Sequence, residues 1–165
     1  MTLLRSLADQ ALQAIEDHYE TTPTATPLPD RRLVSIGQAP WDCELLNVWV
    51  QRDYPTEGGP ELEVLQSIGA HAGNFFRAAA LGVQLVRCYP VSPDGIEPPA
   101  LVEEEEAVAV VYDDVDQIWT ALAAANLRGD FSQRNGIAYL GWTVLGPEGG
   151  LGGGILTVHA LLPAP

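Results

Sequence analysis

Leu4, Leu7, Ala8, Ala11 and Ile15 recur at helical spacing near the start of the chain, with Asp9, Gln10, Gln13, Glu16 and Asp17 between them. Steps of three and four place apolar residues on one side of a helix, so the pattern predicts an amphipathic helix from about Thr2 to Tyr19. Pro23, Pro27 and Pro29 then forbid helix and predict an extended connector over residues 21–30. Leu33 to Gly37 reads as a short strand, and Gly37-Gln38-Ala39-Pro40 as a turn. Cys43 to Gln51 alternates as a strand, with Leu46, Val48 and Val50 on one face and Leu45, Asn47 and Trp49 on the other.

Gly58-Gly59-Pro60 breaks the chain after Asp53-Tyr54-Pro55. The stretch 57–73 is open to two readings, a short helix through Leu62, Leu65 and Ile68 or a long glycine-flanked excursion. A third strand is expected from Phe75 to Tyr89, with Leu81, Val83 and Leu85 opposed to Gln84, Val86 and Cys88. Val108, Val111, Val115, Ile118, Leu122 and Ala125 mark a second helix and its expected core stripe. Glu103 to Glu106 suit the N-terminal end of its dipole, and Asn126 and Gly129 supply a stop. Strands from Gly136 to Leu145 and from Gly154 to Leu162 follow, joined by a glycine-rich hairpin loop at 146–154.

The expected fold is therefore one α+β domain spanning residues 1–165. It has a small, mainly antiparallel sheet of about five strands flanked by two helices, in the order α-β-β-β-α-β-β. The length of 165 residues suits a single domain. No window offers the ~20 apolar residues of a membrane helix. The N-terminus lacks a signal-peptide pattern, so a chain made in a cytoplasm is expected. Cys43 and Cys88 lie in apolar runs, where two buried free thiols are expected rather than a disulfide.

Charge changes the picture most. The net charge is −14, and the chain holds eight basic residues, all of them arginine. Such a surface suits neither phosphate neutralisation nor nucleic-acid affinity. It suits solubility, or a surface that DNA must pass without adhering.

No catalytic, metal or cofactor constellation emerges. His18, His71 and His159 are scattered, and His18 at a helix end has an ordinary dipole role. Asp113, Asp114 and Asp116 diverge around a helix and read as its solvated face rather than a metal site. The glycines of 149–154 lead into a strand without lysine, which excludes a phosphate-binding loop. Trp119 fits the core stripe, while Trp41, beside a turn proline, is expected to be half-exposed and suited to an interface.

Three stretches carry a resemblance: Val34-Ser35-Ile36-Gly37 with Ala39 and Trp41 to Val48; Leu85-Val86-Arg87-Cys88-Tyr89-Pro90-Val91; and Gly153 to Val158 running on to Leu162-Pro163. Together they resemble the tail terminator proteins, neck components of long-tailed phages that infect actinobacteria, from about residue 30 onward. The resemblance implies a structural virion protein, not an enzyme, with no metal and no cofactor. It implies a hexameric ring of copies of itself that caps the tail tube. Its partners would be the major tail tube protein and the head–tail connector protein, and DNA would pass through without specific binding. Ring closure needs one face of each subunit to fit a different face of its neighbour. Trp41, Tyr54, Pro55, Leu62, Leu65, Trp142 and Leu151 are the subunit-interface candidates. The same features fit another connector or stopper ring. A small ligand-binding domain or an antitoxin-like regulator outside phage biology fits them too.

Overall fold

The computed structural model describes residues 3–23, 26–56, 76–92, 98–128, 137–148 and 150–162. Two helices and a five-stranded mixed sheet follow one another as α1 (Leu3–Thr21), β1 (Arg31–Ser35), β2 (Leu45–Thr56), β3 (Phe76–Cys88), α2 (Leu101–Arg128), β4 (Ile137–Glu148) and β5 (Leu151–Leu161). The α+β class and the element order match the sequence pattern. The strands lie side by side as β1-β2-β3-β5-β4, and every pairing is antiparallel except β1 with β2.

That parallel pair departs from the expectation that short links join antiparallel neighbours. Residues 36–44 carry the chain back along β2, and two buried amides hold this crossover. Gln84 donates to the Ala39 carbonyl and accepts from the Ala39 amide, while Asn47 donates to the Gly37 carbonyl.

One face of the sheet bears both helices. Leu7, Ala11 and Ile15 of α1 and Ile118, Leu122 and Ala125 of α2 close over Leu46, Val48, Leu81, Val83, Leu85, Leu156 and Val158. His18 meets Gln117 and Tyr19 meets Asp114, so the helices run antiparallel, and residues 101–113 extend past the end of α1. The expected α2 stripe is correct only in its second half. Val108 is exposed, and Val111, Val115 and Trp119 are half-buried, because Asp114 takes the inward position at this level.

Sequence alternation ended β2 too early. The strand continues through Arg52, Asp53 and Pro55 to Thr56, paired with β3 throughout. Among the described residues β1 covers β2 only as far as Trp49, so Pro55 lies past the β1 pairing, where its missing N–H costs no bond to β1. A register shift between Val50 and Arg52 also changes which residues face the helices, bringing Tyr54 opposite Ala78 on the other face.

The glycine-rich stretch is not the expected loop. β4 reaches Glu148 and β5 begins at Leu151, so Gly152, Gly153 and Gly154 lie inside the sheet, buried. Gly153 has φ +153°, and a Cβ there would collide with the Leu85 carbonyl. A Cβ at Gly154 would meet the Trp142 indole at 2.6 Å. The run supplies close approach rather than slack.

Candidate functional site

The most developed polar arrangement lies between the two helices and the end of β3. Arg87 shares the inward parity of Leu81, Val83 and Leu85 but stands one position past the last apolar layer. Its Nε donates to Asp114 Oδ2 at 2.7 Å and its Nη2 to Asp114 Oδ1 at 3.0 Å. Nη2 also donates to the Pro27 carbonyl at 2.7 Å, and Nη1 to Glu44 Oε2 at 2.6 Å. Tyr19 Oη donates to Asp114 Oδ1 at 2.8 Å, and Glu44 Oε1 accepts the Cys88 amide at 3.3 Å. One guanidinium therefore ties α2 to the proline connector and to the crossover before β2, and Tyr19 adds α1.

Burial sets the electrostatics. Asp114 is 0% exposed. Burial lifts its carboxyl above the usual range, against the pull of Arg87 and of the Tyr19 hydroxyl. Burial lowers the guanidinium of Arg87, but its contacts with Asp114 and Glu44 prevail and leave it above its ordinary value. Burial, then the charge and hydrogen bond of Asp114, raise the Tyr19 phenol. The cluster is satisfied on all sides, so its chemistry is that of a clamp. Asp114 thus corrects the reading of all three aspartates as a solvated face.

Cys43 and Cys88 close a disulfide beside this clamp, with Cα atoms 4.9 Å apart. This overturns the expected pair of free core thiols. Cys43 precedes β2 rather than lying in it, and Cys88 is exposed. The register that pairs Leu45 with Val86, continued by two residues, sets Cys43 opposite Cys88. That spacing lies within disulfide reach.

The structure brings together two of the expected interface residues. Trp41 and Leu151 pack beside Ala39, Leu45 and Val86 and line a cleft of about 610 Å³ on the face opposite the two helices. Its floor and walls are uncharged, with Gln51, Thr143, Ile155 and Thr157 exposed or half-buried. Trp142 lies on the other face of the same hairpin, half-buried against the main core, and its indole N–H is enclosed without a partner. Tyr54 is buried with Ala78, Ala80 and Leu161, and its hydroxyl meets His159 Nδ1. The Arg52 guanidinium sits 5.0 Å from the Tyr54 ring centroid. Pro55 is half-buried in β2, and Leu62 and Leu65, like the whole 57–73 stretch, lie outside the described residues.

Sequence reasoning missed Arg87, Asp114, Glu44 and Tyr19 as a unit. The available signal was parity: an arginine on the inward side of a strand needs a buried acid, and the helical stripe passes through Asp114. Among the described residues no group of three or more histidine, cysteine or acidic side chains is arranged to hold a metal ion. No helix among them is long and apolar enough to cross a membrane. Neither protein-family models nor curated protein sequences match this chain.

Proposed function

We propose that this chain is a structural virion subunit that forms a hexameric ring, caps the tail tube and joins it to the head connector. The observation that carries the reading is the sign of its uncompensated charge. The chain has 22 acids against eight arginines. Arg5, Arg31, Arg32, Arg77 and Arg87 are held in intrachain ion pairs with Asp9, Asp42, Glu16, Asp53, Glu44 and Asp114. Glu103, Glu105, Glu106 and Asp116 remain on the exposed side of α2. Surfaces of this kind repel phosphate, which suits a passage that DNA crosses without binding.

Two further features support the reading. The resemblance to tail terminator proteins runs over most of the chain from residue 30, and a disulfide suits a particle that persists in an oxidising medium. A terminator stops tube growth, which sets the test. Deleting the gene in the virus that carries it should give tubes of uncontrolled length and heads without tails, visible by negative-stain microscopy. Tails of normal length joined to heads would contradict the proposal. Tails of normal length left unjoined would transfer the chain to the connector or stopper role.

A further inference from the structure

The first half of α2 overhangs the end of α1 and crosses the β4–β5 hairpin, leaving apolar side chains uncovered. Val108 is 40% exposed, Tyr112 58% and Val144 56%. With Tyr89, Val111 and Trp142 they line a narrow slot of about 80 Å³. Tyr112 and Val108 are one helical turn apart. The Trp142 indole N–H forms part of the inner wall and has no acceptor. β4 borders the slot and, among the described residues, pairs only with β5, so no described strand covers its other edge.

Carboxylates flank the slot's helical residues along α2. Helical spacing places Glu104 and Glu105 one turn before Val108, and Asp116 one turn after Tyr112. A large apolar side chain fits the slot, and cations fit the carboxylates beside it. We infer that this slot and the β4 edge dock an extended basic segment of a different protein, in which apolar and Arg or Lys residues alternate. Main-chain hydrogen bonds to β4 align the segment, apolar side chains enter between Tyr112 and Val144, and basic ones meet the α2 carboxylates. The occupant is not a second copy of this chain. Six of its eight arginines are engaged within the chain, five in the ion pairs described above and Arg52 over Tyr54, and at a net charge of −14 a copy brings acid to acid. The inference does not depend on the ring reading and holds for any acidic binding module built this way.

The test uses the full-length, oxidised protein and two synthetic extended peptides, one alternating Leu with Arg and one alternating Leu with Glu. NMR would follow the Trp142 indole N–H and the amides of Val108, Tyr112 and Val144. The Arg peptide should shift these signals saturably and bind more weakly as salt rises. Tyr112→Ser, at an exposed position that leaves the fold intact, should weaken it at least tenfold, and Glu104→Gln with Glu105→Gln should weaken it as well. No shift at these signals, equal affinity for the Glu peptide, or binding indifferent to all three substitutions would overturn the inference. Concentration-dependent shifts of the same signals without peptide would overturn the choice of occupant, since they would show that a second copy fills the slot.

Discussion

Arg87 and Asp114 show how one buried charge pair can organise a small α+β domain. Taking both ions out of water is costly, and only their bidentate contact and the added bonds from Tyr19, Glu44 and Pro27 make it tolerable. Removing one partner strands the other. Asp114→Ala should therefore destabilise the fold by about 3–5 kcal/mol in a denaturant melt, whereas Arg87→Met combined with Asp114→Leu should cost much less. A loss in the double variant equal to the sum of the two single losses would mean that the pair is not coupled. Tyr19 adds a pH dependence. Its phenol is raised by burial and by Asp114, with Asp113 adding to the rise and Arg87 opposing it. In the unfolded chain tyrosine ionises near pH 10, while folded Tyr19 keeps its proton, so stability falls as pH climbs beyond about 10. Tyr19→Phe removes that slope. The wild type's lead over the Phe variant should shrink between about pH 9 and 11, and a constant gap across that range would count against the buried phenol.

At the scale of elements, the crossover 36–44 has the most to hold in place, because it must run β1 parallel to β2 over the sheet face opposite α1 and α2. Gln84, Asn47, the Glu44–Arg87 contact and the Cys43–Cys88 bridge all anchor it. The bridge spans 45 residues of sequence, and closing a loop of that size restricts the unfolded chain. Cys43→Ser with Cys88→Ser should cost about 2–4 kcal/mol, and amide exchange should quicken first around Ala39 and Trp41. Unchanged exchange there would show that the amide contacts suffice alone. Much of this level was legible in the sequence: the three-and-four spacing of Leu4 to Ile15 gave α1, and Leu81, Val83 and Leu85 gave the inward face of β3. What was not legible depended on neighbours. A cysteine pair becomes a disulfide only once the β2–β3 register is known. Three glycines become strand only once Trp142, Tyr89 and the Leu85 carbonyl press against them. The bulge that turns Tyr54 to the far face leaves no mark in local alternation.

At the scale of the whole molecule, α1 and α2 cover one sheet face, the 36–44 crossover lies on the other, and the remaining charge is overwhelmingly negative. The expected interface residues divide accordingly. Trp41 and Leu151 share the uncharged cleft on the face opposite the two helices, Trp142 belongs to the slot beneath α2, and Tyr54 is enclosed within the fold. The uncharged cleft suits a contact between copies in a ring, whereas the acid-flanked slot suits a different, basic partner. The sequence could suggest interface residue types, but only the strand pairings and the path of the 36–44 crossover determine which of them share a face. The central claim, a ring between tail and head through which DNA slides, is tested most directly by cryo-electron microscopy of the assembled virion neck. The account predicts one ring of this chain between the last tube ring and the head connector, with Asp and Glu outnumbering Arg on the lumen wall. A position at the tail tip, or as a decoration on the capsid, would contradict it.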